Sequence, residues 1–119
     1  MKDRRDFDIS LLEGEVAEIR LKQLFGNKTI EVKRDFETFR TGNIAIEYMS
    51  RGKPSGLSVT KADWWAFVMS GDLNDEVILL MKTSRLKLLA KKHWKDNRKA
   101  GGDNNTSKLV LIPFAEVIK

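Results

Sequence analysis

Apolar residues along this chain change period several times, and each change predicts an element. Ser10-Leu11-Leu12-Glu13 has the form of a capping box at a helix start. Leu12, Val16 and Ile19 then recur at helical spacing, and Gly26 after Phe25 supplies a stop. From residue 29 to 35 the period drops to two. Ile30, Val32 and Arg34 point one way; Glu31, Lys33 and Asp35 point the other. A short connection, residues 36–42, leads into a second alternating run. There Ile44, Ile46 and Tyr48 share a face, with Asn43, Ala45, Glu47 and Met49 opposite. Two such runs this close predict an antiparallel hairpin.

Gly52-Lys53-Pro54-Ser55-Gly56 is a turn cluster, and Leu57-Ser58-Val59 reads as a short third strand. Thr60-Lys61-Ala62-Asp63 resembles a helix start, so a second helix is expected to carry Trp64, Trp65, Phe67 and Val68 and to end near Gly71. Val77-Ile78-Leu79-Leu80-Met81 is a continuous apolar run, suited to a strand buried on both faces. Thr83 caps a third helix bearing Leu86, Leu89 and Ala90 against a basic side. Residues 99–107 are rich in Gly, Asn and Asp and read as a mobile connection. Leu109-Val110-Leu111-Ile112 is the last strand, closed by Pro113. The order α-β-β-(β)-α-β-α-β, with neither repeat nor linker, implies one α/β domain over residues 1–119, with a mixed central sheet flanked by helices.

Composition narrows the chemistry. With 119 residues, 41% hydrophobic and 33% charged, the chain is long enough for one core and too apolar for disorder. No apolar run approaches the roughly 20 residues of a membrane span, and Met1-Lys2-Asp3-Arg4-Arg5-Asp6 lacks the apolar stretch of a secretory signal. An intracellular, cytoplasmic protein with no membrane partner is therefore expected. The absence of cysteine excludes disulfides, thiolate metal sites and cysteine nucleophiles, and the single histidine, His93, excludes a multi-histidine zinc site within one chain. Charge is uneven: residues 82–108 hold nine Lys or Arg against two Asp, while the rest holds 13 basic and 15 acidic residues. A surplus of that kind attracts polyanions; a solvated lysine-rich helix face accounts for it equally.

The predicted hairpin puts Glu47 on the face of Glu31, Lys33 and Asp35, in a patch roughly 10 Å across. Carboxylates so close repel unless a cation sits between them, and hard oxygen donors favour Mg²⁺, Mn²⁺ or Ca²⁺. Glu18 lies on an otherwise apolar helical stripe with Leu11, Leu21 and Phe25. It reads either as a carboxylate turned toward the body of the protein or as a rim glutamate.

Four stretches together resemble the PD-(D/E)xK nuclease superfamily, in particular its small phage-type and Holliday-junction-resolvase-like members. Gly14-Glu15-Val16-Ala17-Glu18 is similar to the G-x-x-x-E helix motif, and Ile30-Glu31-Val32-Lys33-Arg34-Asp35 to the first acidic strand. Thr41-Gly42-Asn43-Ile44-Ala45-Ile46-Glu47-Tyr48 resembles the second acidic strand. Gly52-Lys53-Pro54-Ser55-Gly56-Leu57 through Thr60-Lys61-Ala62-Asp63-Trp64-Trp65 resembles the glycine turn and the helix after it. The likeness spans residues 10–81 and continues beyond only as element order.

The resemblance implies a restriction-endonuclease-like α-β-β-β-α-β core and a Mg²⁺- or Mn²⁺-dependent deoxyribonuclease that hydrolyses phosphodiester bonds in DNA. Branched or Holliday-junction DNA is the implied substrate, cut by a homodimer because symmetric cleavage needs two centres. By the same likeness Asp35, Glu47 and Glu18 are metal ligands, Lys33 orients water or neutralises the phosphate, and Glu31 supports them. Met49 stands where the pattern has lysine. Lys33 fills that role from the neighbouring strand, or Glu31-x-Lys33 is itself the E-x-K element, or catalysis has been lost. Arg40, Arg51, Lys53 and Ser55 flank the site as DNA contacts, with Arg85, Lys87, Lys91, Lys92 and Lys95 widening the basic footprint. The alternatives are a nonspecific or single-strand nuclease of the same superfamily, a noncatalytic DNA-binding protein that retains the fold, and a scaffold whose polar strand face merely meets solvent. No further cofactor is implied. His93, Tyr48 and at least one of Trp64 and Trp65 read as structural.

Overall fold

The computed structural model describes the backbone of residues 4–71 and 76–119, and the side chains of residues 14–17, 19–71 and 76–119. Helix α1 (Arg4–Phe25) begins ahead of Ser10, so the predicted capping box falls inside the helix; no Gly or Pro precedes it to interrupt the first turns. The side chains of Ser10 and Glu13 lie outside the described residues, as does that of Glu18. The predicted stop holds: Gly26 has φ +29, and its N–H donates to the Lys22 carbonyl at 2.8 Å. Val16, Ile19 and Leu21 on this helix are exposed, while Phe25 meets Trp64 edge-on at 4.8 Å between ring centroids.

The first strand, β1 (Ile30–Asp35), and the second, β2 (Asn43–Ser50), form as predicted, but they do not pair with each other. Between them lies a helical turn, α2 (Thr38–Thr41), closed by Gly42 at φ 77°. A connection with its own hydrogen-bonded turn is unlike the two- to five-residue loop of a tight hairpin, and it carries β2 into a different sheet. β1 pairs in parallel with β4 (Trp64–Ser70), which pairs antiparallel with β5 (Glu76–Lys82). β2 pairs antiparallel with β3 (Lys53–Pro54) and with β7 (Ser107–Pro113), whose other edge takes β6 (Arg98–Gly101). The architecture is α/β, with a mixed three-stranded sheet β1-β4-β5 and an antiparallel four-stranded sheet β3-β2-β7-β6.

Other expectations are corrected by the same packing. The helix expected over residues 60–71 is strand β4. Its aromatic and branched residues suit a pleated surface, and alternation drives Trp65, Phe67 and Met69 to one face, all at most 2% exposed. A helix would have scattered them around its axis. Residues 57–59 contribute to a 3₁₀ turn (Gly56–Ser58) and form no strand. β5 is an edge strand with Val77, Ile78 and Leu80 exposed, so it is not buried on both faces. Thr83 begins α3 (Thr83–Lys92), but its hydroxyl donates to the Ala62 carbonyl at 2.7 Å and does not cap the helix. The 99–107 segment contains most of β6 and a 3₁₀ turn (Asp103–Asn105), and α4 (Phe114–Val117) follows Pro113.

One buried cluster unites both sheets. Ile44 and Ile46 of β2 and Val110 and Ile112 of β7 join Trp65, Phe67 and Met69 of β4, with Leu86 and Ala90 of α3 and Val117 of α4. The polarity of β1 is inverted relative to this core. Glu31, Lys33 and Asp35 stand in register with Trp65, Phe67 and Met69, whereas Ile30 and Val32 face outward at 42% and 63% exposure. Among the described residues no helix is long and apolar enough to cross a membrane.

Candidate functional site

A strand that turns charged side chains toward the core side must give them somewhere to go. Here two of the three border a cleft of about 400 Å³ between the two sheets. Lys33 and Asp35 enter it from β1 and Glu47 from β2, over walls that include Trp65, Phe67 and Leu109. Lys33, Asp35 and Glu47 thus line one cleft, contributed by two sheets and not by one hairpin face, and Glu31 is not among its lining residues.

Asp35 is held by the turn that follows it. Its Oδ1 accepts the backbone N–H groups of Glu37 at 2.8 Å and Thr38 at 2.9 Å, and its Oδ2 accepts the Thr38 hydroxyl at 2.5 Å. These bonds satisfy donors at the start of α2 from two residues ahead of its N-cap, Glu37, in the manner of an Asx turn. Thr38 is 2% exposed, so this anchor is fixed in the core. Glu47 is held differently: the Ser107 hydroxyl donates to its Oε1 at 2.6 Å across the β2–β7 pair. Its Oε2 accepts no hydrogen bond among the described residues. Gly56 packs on the same residue. A Cβ there would lie 2.2 Å from the Glu47 carbonyl oxygen, and φ is +51°, so glycine is required twice over.

The Lys33 ammonium lies 3.5 Å from Glu31 Oε1 and 5.6 Å from the centroid of the Trp65 ring. Glu31 thus acts on the site through Lys33 and is not itself on the cleft wall. Met49 is also off the wall. The β2–β7 register shifts between Glu47 and Met49, which breaks the alternation that would have put both on one face. The ammonium that reaches the cleft belongs to Lys33.

The remaining candidates are dispersed. Arg40 is exposed and engaged by Glu37 through both its Nε and an Nη, so it meets the cleft only at the rim that Glu37 forms. Arg51 sits in a left-handed turn at φ 51° and donates its N–H to the Thr106 carbonyl at 2.8 Å. Lys53 is exposed on β3, and the buried Ser55 Oγ has no partner among the described residues. Trp65 Nε1 on the cleft wall is likewise buried without a partner. Glu18 lies beyond what the described side chains show.

Thr38, Ser107 and Trp65 were missed as site residues. Asp35 followed three residues later by Thr38 is a readable capping signal, but the Ser107–Glu47 contact spans 60 positions and leaves no local trace. Glu116, away from the cleft, has its carboxyl held below the ordinary range. The cause is first its hydrogen bond from Lys92, at 2.9 Å, with the Lys119, Lys92 and His93 charges adding to it. No family profile, characterised protein or solved structure matches this chain.

Proposed function

We propose that the cleft is the active centre of a Mg²⁺- or Mn²⁺-dependent deoxyribonuclease that hydrolyses phosphodiester bonds, with branched DNA such as a Holliday junction as preferred substrate. The observation that carries this reading is the meeting of Lys33, Asp35 and Glu47, from separate sheets, around one cleft. A restriction-endonuclease-like core is part of the proposal. It is supported by the order of α1, acidic β1 and acidic β2 and by the parallel β1–β4 pair.

The donors suit such an ion. Mg²⁺ takes one or two carboxylates and completes its shell with water and substrate phosphate, so Asp35 and Glu47 suffice. When bound, the ion would neutralise charge on a phosphate oxygen and acidify a water.

The chain's own groups do the rest. Asp35, held by its bonds to Glu37 and Thr38, and Glu47, held by Ser107, would offer an ion the sites those bonds leave open, on Asp35 Oδ2 and Glu47 Oε2. Lys33 offers ammonium donors to a non-bridging phosphate oxygen or to the attacking water, and Glu31 restrains it. Gly56 keeps the Glu47 backbone free of a covering side chain. Symmetric cutting of a junction requires two such centres, so the proposal carries a homodimer, measurable as molar mass by light scattering.

The test is incubation with labelled duplex, single-stranded and four-way-junction DNA in Mg²⁺, Mn²⁺ or chelator. Junction DNA should yield product fastest, only with metal, and Glu47→Gln should abolish it. Equal rates on all three DNAs would reduce the proposal to a nonspecific nuclease. Binding without product in either metal would favour the noncatalytic alternative. Lys33→Met should cleave poorly while melting like the wild type, because its ion pair is about half exposed; undiminished turnover removes Lys33 from the assignment.

A further inference from the structure

Away from the cleft, the surface of β6 and β7 gathers positive charge that no ion pair offsets among the described residues. Lys95, Arg98, Lys99 and Lys108 line a surface hollow of about 330 Å³ together with Tyr48 and Ala100. None of these four cations has a carboxylate within ion-pair distance among the described residues, whereas Lys33, Arg34, Arg40, Lys92 and Lys119 all do. Asp96, beside Lys95 in the chain, is exposed and pairs with none of them. Cross-strand pairing sets Ala100 opposite Lys108, on the sheet face of Arg98, while Lys99 stands opposite Leu109 on the other face and borders the hollow from the strand edge. Like charges concentrated in this way repel, and the repulsion is relieved when a polyanion binds.

A second feature narrows the class of polyanion. Trp94, 38% exposed, is flanked by the Tyr48 ring at 4.4 Å and by the Arg98 guanidinium at 4.9 Å from its centroid. A tilted Tyr48–Trp94 pair and a guanidinium beside lysines suit DNA, whose sugars can meet the rings while its phosphates meet the cations. An acidic peptide or a lipid surface would use the charges alone.

We infer that this hollow is a binding groove for the phosphodiester backbone of DNA, distinct from the cleft and independent of metal. β2 links the two: Glu47 lines the cleft and the next residue, Tyr48, lines the groove. The inference does not rest on the nuclease reading, because it concerns binding that persists when catalysis is prevented.

The test is fluorescence anisotropy of a labelled 30-base-pair duplex, in chelator, over a range of salt concentrations. The quadruple variant Lys95→Ser, Arg98→Ser, Lys99→Ser, Lys108→Ser should bind at least about tenfold more weakly at 0.1 M salt. Its slope of log affinity against log salt should be shallower by roughly three to four. All four residues are exposed, and an unchanged thermal melt checks that the variant is folded. Lys87→Ser with Lys91→Ser, on α3, should change the slope far less. Equal loss per charge from both sets would mean that net charge alone binds DNA, and would overturn the groove. Unaltered affinity in the quadruple variant would overturn it too, as would tighter binding of polyglutamate or of anionic vesicles than of DNA. Groove-dependent binding without metal-dependent cleavage would sustain the groove and defeat the nuclease reading; cleavage with groove-independent binding would do the reverse.

Discussion

Replacing Asp35 by asparagine and by alanine separates its two roles. The carboxylate accepts two backbone N–H groups and the Thr38 hydroxyl, so it holds the start of α2 whatever else it does. Alanine removes all three bonds. The Thr38 hydroxyl can still donate to the Asn43 carbonyl at 3.2 Å, which leaves the backbone N–H groups as the main loss. A lost cap costs about 1–2 kcal/mol, and at roughly 4 °C per kcal/mol for a chain of this size the Asp35→Ala melt should fall by about 4–8 °C. Asparagine caps as well as aspartate, because its amide oxygen accepts the same N–H groups. It forfeits the charge–dipole term, about 0.5 kcal/mol or less, and the Thr38 hydroxyl's bond to Oδ2, which passes to the Asn43 carbonyl, so Asp35→Asn should melt clearly above Asp35→Ala. The two variants should agree in catalysis. Both lose the charged ligand, and both should cleave at least about a hundredfold more slowly. The assay pairs thermal melts in chelator with cleavage of a labelled four-way junction in Mg²⁺. Equal destabilisation by both substitutions would refute the capping role. Wild-type cleavage by Asp35→Asn would refute the metal role.

Three further outcomes follow from particular contacts. Gly56→Ala would force a Cβ to within 2.2 Å of the Glu47 carbonyl oxygen at a φ of +51°; it should cost more than about 2 kcal/mol in urea unfolding and reduce cleavage, and an unchanged midpoint would contradict the close approach. Leu86→Ala empties a fully buried position and should cost about 2–5 kcal/mol, whereas Leu88→Ala, at a site 69% exposed, should stay within about 0.5 kcal/mol; similar losses at both would mean that α3 faces the wrong way. Because the Glu116 carboxyl is held below the ordinary range, chiefly by Lys92, its stabilisation is complete above the unfolded value and fades as pH falls through the folded one. The melting difference between wild type and Glu116→Gln should therefore be present at pH 7 and close as pH falls below the ordinary carboxylate range; a gap that ignores pH would contradict the sign.

What the sequence disclosed follows a physical line between local and non-local information. The alternation of β1 and β2 was legible, because side-chain facing is a property of each strand alone. Their pairing was not, because the partner of β1 lies beyond β2 in the chain, and nothing in Ile30 to Asp35 names Trp64 to Ser70. The capping pattern at Thr60 to Asp63 misled for a related reason. Asp63 does accept a backbone N–H, but from Thr29 across space at 3.0 Å, and it begins no helix. β6 carries no large apolar residue, so its strand character comes wholly from pairing with β7. The candidate site was legible as residue types: Lys33, Asp35 and Glu47 were named from alternation and likeness, and all three border the cleft. Their supports were hidden, since Ser107 is an ordinary polar residue until β7 docks on β2. Lys95, Arg98, Lys99 and Lys108 belong to the charge surplus legible in the sequence, but only folding brings them around one hollow.

The central claim is that Asp35 and Glu47 share a divalent ion, and crystals soaked in Mn²⁺ address it most directly through anomalous diffraction. The account predicts a manganese peak in the cleft, within about 2.2 Å of a carboxylate oxygen from each residue, absent from crystals of Glu47→Gln. Manganese bound only elsewhere, or a cleft peak that survives in Glu47→Gln, would contradict it.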